Sequence, residues 1–120
     1  MRIVFPGASE RHKTLIFVLS PSCGVCRANW PNWRDIRVAA ASHGVRQLFV
    51  DTSDELSPVY LSQHAISDAS VVTNLSARSA IGYRFGMTPQ TILVSEDGVV
   101  AKVWTGLLSA GAVREIENTL

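Results

Sequence analysis

A chain of 120 residues has the length of one ordinary globular domain, and with 47% apolar and 18% charged residues it is too apolar to stay disordered and rich enough to build a core. Its formal net charge is +1, and no dense basic stripe or aromatic nucleic-acid motif accompanies it, so nucleic acid is excluded from the expected partners. The charge is uneven, with seven Lys or Arg against two acids through residue 46 and four against eight beyond it; ordinary surface solvation accommodates this, and an acidic partner would be drawn to the first half.

Met1 through Gly7 lacks the basic region, apolar run and cleavage site of a secretory signal. No stretch approaches the roughly 20 apolar residues of a membrane helix. The expectation is a soluble chain in which residues 1–120 form one domain, with any export signal or membrane anchor lying outside it.

Thr14 to Leu19 is short, apolar and rich in branched and aromatic residues, which predicts a strand buried on both faces. Ser20-Pro21-Ser22 ends it: proline cannot donate to a ladder and serine caps a following helix, so the triplet is a strand-to-helix corner. A helix is predicted from Cys23 or Gly24 to Ser42, with His43-Gly44 as its stop and Trp33, Ile36 and Ala40 on its apolar face. Pro31 falls inside it and predicts a kink. Val45 to Val50 reads as a second buried strand, followed by an acidic turn from Asp51 to Glu55. Ser57-Pro58 opens a short helix through Gln63, and Ser70 to Thr73 reads as a small edge strand.

A further helix is placed around Ser76 to Arg84. Gly86-Met87-Thr88-Pro89 then interrupts regular structure before a strand from Gln90 to Ser95, a turn at Glu96-Asp97-Gly98, and an antiparallel partner from Val99 to Trp104. A last helix runs from Ala110 to Leu120. This order predicts an α/β fold, a mixed sheet flanked by helices.

Cys23-Gly24-Val25-Cys26 puts both sulfurs at the start of one helix, where they can meet across the first turn in a disulfide. Cys23 is the expected attacking residue, because unpaired backbone donors and the helix field at that end favour its thiolate. Attack on a client disulfide would form a mixed disulfide, which Cys26 would resolve. The spacing also permits zinc ligation, but there is no second cysteine pair, and His12, His43 and His64 are scattered; no metal and no organic cofactor is expected.

The ordered combination of Thr14 to Ser22, Cys23-Gly24-Val25-Cys26, Pro31, Gly86-Met87-Thr88-Pro89-Gln90-Thr91, Asp97-Gly98 and Gly106 resembles the thioredoxin superfamily, in particular its TlpA-like and related extracytoplasmic redoxins. The resemblance covers nearly the whole chain. It implies a thioredoxin-like fold ending in a β-hairpin and helix. It also implies a cis Thr88-Pro89 bond facing the cysteines, and a Thr88 backbone that pairs with an extended client segment. Ser22, Gly24, Val25 and Trp30 are the remaining residues expected to shape the site or touch a client, while Trp33 is expected in the core. Ser22 and Val25 depart from the tryptophan and proline common at their positions. Phe17 stands where ordinary thioredoxins have a buried acid, and Asn29 where many TlpA-like proteins have a glutamate associated with proton transfer, so neither carboxylate role is assigned.

The implied activity is a protein disulfide oxidoreductase, a specialised reductase or maturation factor. Its partners would be client protein thiols or disulfides and a redox-regenerating protein. Its compartment would be the periplasm or another extracytoplasmic space, with the cytoplasm left open. Two alternatives stand beside it: a peroxiredoxin-like peroxidase in which Ser20 orients peroxide, and a noncatalytic binding module that uses the surface near Trp30 and Pro89.

Overall fold

The structure is a computed structural model, described over residues 12–51, 57–67, 70–72 and 88–120. Strand β1 is Thr14–Leu19, and all six of its residues are buried. It lies at the centre of a five-stranded sheet, which is why its sequence is an unbroken apolar run rather than an alternating one. On one side β2, Arg46–Asp51, runs parallel to β1 from Thr14 opposite Arg46 to Leu19 opposite Asp51. Beyond it β3, Val71–Val72, pairs parallel to β2 at the edge. On the other side β4, Gln90–Val94, is antiparallel to β1, and β5, Val100–Thr105, is antiparallel to β4 and forms the second edge.

Helix α1, Gly24–Ser42, carries the face that packs on this sheet. Cys26, Asn29, Trp30, Trp33, Ile36 and Ala40 are its buried residues, a three-and-four spacing that keeps one stripe toward the core. The helix continues past Pro31, which sits on the exposed side. Helix α2, Pro58–Gln63, is capped by Ser57, whose hydroxyl accepts from the Tyr60 N–H at 3.1 Å. Helix α3, Ala110–Thr119, is capped in the same way by Ser109 and buries Ile116.

Alternation along β1 splits the core. Leu15, Phe17 and Leu19 join the cluster beneath α1, whereas Ile16 and Val18 join Val50, Ile92 and Val94 on the opposite face. Phe17 stacks on Phe49 with ring centroids 5.0 Å apart and meets Trp33 edge-on at 5.3 Å. Trp33 is fully buried, and its indole N–H donates to Thr91 Oγ1 at 2.9 Å, which ties α1 to β4.

Several element boundaries differ by one residue from the sequence expectation, among them the start of the edge strand β3 at Val71 and the end of α3 at Thr119. Strand β2 starts at Arg46, not Val45, because the Val45 N–H is spent on Ala40 O at 2.9 Å in the end of α1, and Arg46 makes the first bond toward Lys13. Asp51 is the last, buried residue of β2 rather than the start of a turn. In the hairpin, Ser95 and Val99 close the turn, by Ser95 N–H to Val99 O and Ser95 Oγ to Val99 O, so β4 stops at Val94 and β5 runs from Val100 to Thr105. The helix expected at 76–84, and the segments 52–55, 73–74 and 86–87, lie outside the described residues.

Candidate active site

Where β1 ends, Ser20 to Ser22 makes a tight corner closed by the Cys23 N–H on Ser20 O at 3.0 Å. The serine hydroxyls of Ser20 and Ser22 face each other at 3.1 Å, and neither caps the helix. That place belongs to Cys23, with φ −80° and ψ 117°, whose Sγ accepts the Cys26 N–H at 3.1 Å. The sulfur therefore does what a serine or aspartate oxygen does at other helix starts: it satisfies a backbone donor that the helix cannot. Gly24 and Val25 are exposed, Cys23 is partly exposed, and Cys26 is buried. Both cysteines are free thiols.

A second segment closes on the first. The Thr88–Pro89 peptide bond is cis, Pro89 is buried, and the Thr88 carbonyl lies 3.8 Å from Cys23 Sγ. Pro89 O in turn accepts the Gly106 N–H at 2.8 Å, with Gly106 at φ +84°, a backbone conformation that glycine adopts without penalty. The corner after β1, the Thr88-Pro89 segment before β4 and the loop after β5 thus converge at one end of the sheet.

The surroundings divide the two sulfurs electrostatically. Burial pushes the Cys23 thiol up, but hydrogen bonds from Cys26, from the Thr88 side chain and from the backbone at Cys26 and Val25 together outweigh it and leave Cys23 below the ordinary thiol value. Cys26 is pushed up to about 11 by burial first, then by its hydrogen bond to Cys23 and the adjacent negative charge. The partly exposed sulfur is the acidic one, and the buried one keeps its proton.

Trp30, one turn after Cys26, is only 5% exposed, so it belongs to the seam between α1 and α2. Its indole N–H donates to the Tyr60 hydroxyl at 2.9 Å, and its ring stacks on His64 at 3.9 Å between centroids. Tyr60 is raised by burial and by the charges of Cys26 and Asp51, against the opposing Trp30 N–H and Arg27. His64 is lowered by burial and by Arg37 and Arg34. Arg37 bridges this seam, donating to the carbonyls of His64 at 2.7 Å and Ala65 at 3.0 Å while its guanidinium lies over Phe49. Sequence reasoning did not bring Tyr60 or His64 to Trp30, because nothing local marks a helix 30 residues downstream as the partner of that ring.

Asn29 is fully buried, and Oδ1 receives the Leu108 N–H at 3.1 Å and Asn32 Nδ2 at 3.0 Å. Asn32 also donates to Leu108 O at 3.0 Å. These bonds clamp the loop after β5 to the first turns of α1. Among the described residues, no three His, Cys, Asp or Glu side chains gather as a metal-binding group, and no helix is long and apolar enough to cross a membrane.

Solved structures share this architecture. A thiol:disulfide interchange protein of the thioredoxin family from Chlorobium tepidum TLS superposes with a TM-score of 0.73 at 20% identity, over 96% of this chain and 84% of that one. StoA from Bacillus subtilis gives 0.64 at 18% identity over 88% and 82%. The pneumococcal exposed lipoprotein thioredoxin from Streptococcus pneumoniae strain TIGR4 gives 0.63 at 17% identity over 94% and 90%. No curated protein sequence matches the chain. The likeness to these structures establishes a thioredoxin-like fold, and the sequence model of one family, described as Redoxin, matches residues 7–120; the chain therefore belongs to the redoxin family of the thioredoxin superfamily.

Proposed function

We propose that this protein is a thiol-disulfide oxidoreductase that acts on protein disulfides, with Cys23 attacking and Cys26 resolving. The observation that carries this reading is the asymmetry of the pair: a partly exposed, acidified sulfur at a helix start, and three residues on a buried one held near 11. Cys23 thiolate attacks one sulfur of a client disulfide; that S–S bond breaks and the first client sulfur leaves with the electron pair. Cys26, once ionised, attacks Cys23 Sγ and displaces the second client sulfur. The client gains two electrons and the protein is left with a Cys23–Cys26 disulfide, which a partner dithiol reverses. Thr88 and Pro89 border the attacking sulfur and offer backbone for an extended client strand, and Ser22, Gly24 and Val25 form the exposed rim. Trp30 acts from behind, packed in the core beside Cys26 and bonded to the Tyr60 hydroxyl.

The narrower reading is a specialised reductase or maturation factor working outside the cytoplasm. Support comes from the structural relatives, among them one described as an exposed lipoprotein, and from Phe17 and Asn29 in place of carboxylates, which suits a protein that depends on its client for part of the chemistry. The decisive experiment is a Cys26→Ser trap. Incubated with disulfide-containing proteins of the source cell, this variant should accumulate mixed disulfides through Cys23 that reductant releases. If Cys23 captures no protein while the fold is intact, the reading is wrong.

A further inference from the structure

The most anomalous polar group beside the sulfurs is the Asn29 amide. Its Oδ1 is identified by the backbone N–H of Leu108 that it accepts, which fixes the other end of the amide as the nitrogen. That nitrogen, Nδ2, is buried and finds no acceptor among the described residues. A buried donor without a partner is a standing loss to the fold. An aspartate would keep the Leu108 and Asn32 bonds without carrying an idle donor. The idle donor is explained if its acceptor exists in another state of the protein.

Cys26 is the nearest candidate by position. It lies three residues before Asn29 on α1, and both side chains are buried on the sheet-facing stripe, a spacing that brings Cβ atoms to about 5–6 Å. As a neutral thiol Cys26 is a weak acceptor; as a thiolate it is a charged one in a place from which water is largely excluded. The bonds from Leu108 and Asn32 fix the oxygen end of the amide; in the reduced protein Nδ2 and the thiol are not yet bonded, and the charge on an ionised sulfur would draw the two together.

We propose that Asn29 Nδ2 donates a hydrogen bond to Cys26 Sγ when that sulfur ionises, and so stabilises the thiolate that resolves the mixed disulfide. This rests on the exchange reading above. Cys26 releases its proton to water and its thiolate attacks Cys23 Sγ. The Cys23–Cys26 bond forms as the Cys23–client bond breaks, and the departing client thiolate takes a proton from solvent. An amide does not titrate in the working range, so Asn29 acts by donating rather than as a base. Burial works against ionisation of Cys26, and a fixed donor opposes that penalty.

Two measurements test it. In a Cys23→Ser background, the ionisation of Cys26 is followed by thiolate absorbance with and without Asn29→Ala; this needs no client. The alanine variant should raise the midpoint by about one unit, equivalent to about a tenfold loss of thiolate at a given pH, and an unmoved midpoint overturns the proposal. In the cysteine-intact protein, a purified mixed disulfide between Cys23 and a thionitrobenzoate group, which Cys26 displaces with a colour change, reports resolution alone. Asn29→Asp retains the oxygen that holds Leu108, which makes it the variant to use where alanine fails to fold. It should resolve about tenfold more slowly at pH 7; equal or faster resolution means that a base, not a donor, is wanted there and overturns the proposal. Failure of the Cys26→Ser trap with these two results intact would remove the protein-client reading and leave the role of Asn29 standing.

Discussion

Two cysteines separated by two residues differ here because each is surrounded by different atoms. At Cys23 the sulfur replaces a capping oxygen and collects donors from the first turn of α1. At Cys26 the same turn carries the sulfur inward, against Trp30 and the core. Alkylation of the reduced protein with iodoacetamide should therefore show two separated profiles. Cys23 should react with a midpoint below the ordinary thiol value of about 8.5. Cys26, measured in Cys23→Ser, loses the part of its upward shift that Cys23 supplies but keeps the part due to burial, so its midpoint should still lie above the ordinary value. Overlapping profiles near the ordinary value would remove the asymmetry. The spacing and the helix start were enough to read that Cys23 is the more exposed sulfur of the two, since both are local. The Asn29 contact with Leu108 spans 79 positions and the Trp30 contact with Tyr60 spans 30; no pattern in a single sequence carries such pairs.

The elements show the same division between local and non-local information. Helices α1 and α2 end in the same motif. At the end of α1 the Gly44 N–H reaches Ala41 O and the Val45 N–H reaches Ala40 O, with Gly44 at φ +68°. At the end of α2 the Ala65 N–H reaches Ser62 O and the Ile66 N–H reaches Leu61 O, with Ala65 at φ +53°. The first stop was legible because glycine announces it. The second was not, because alanine has no preference for that conformation and is held there by tertiary bonds, including Arg37 on the carbonyls of His64 and Ala65. A Cβ in left-handed backbone costs about 1–2 kcal/mol, so Ala65→Gly should stabilise the protein by about 1 kcal/mol, the more permissive backbone of glycine in the unfolded state offsetting part of the gain. Gly44→Ala should destabilise it by a similar amount, since nothing crowds the added carbon and only the backbone objects. Urea unfolding of the two variants measures both, and equal signs would show that the caps are not the determinant.

At the scale of the whole molecule, the sheet order brings together the corner after β1, the segment before β4 and the loop after β5, so folding and thiol ionisation are linked. An unfolded cysteine ionises near the ordinary value, about 8.5. Cys23 ionises below its ordinary value in the fold, so its contribution to stability is complete above the unfolded value and is lost as the pH falls through the folded one. Cys26 is held up to about 11, so its contribution is complete below the unfolded value and is lost as the pH rises through about 11. The Cys23 contribution is gained between its folded value and the ordinary one, and the Cys26 contribution is lost between the ordinary value and about 11, so both are complete only near the ordinary value. Unfolding free energy of the fully reduced protein, minus that of a Cys23→Ser, Cys26→Ser variant at each pH, cancels other titrating groups to first order. That difference should climb from acid pH to a maximum near pH 8.5 and decline toward pH 11. A flat or steadily rising curve would mean that the fold does not distinguish its two sulfurs, and the chemistry proposed for Cys23 would then have no structural source.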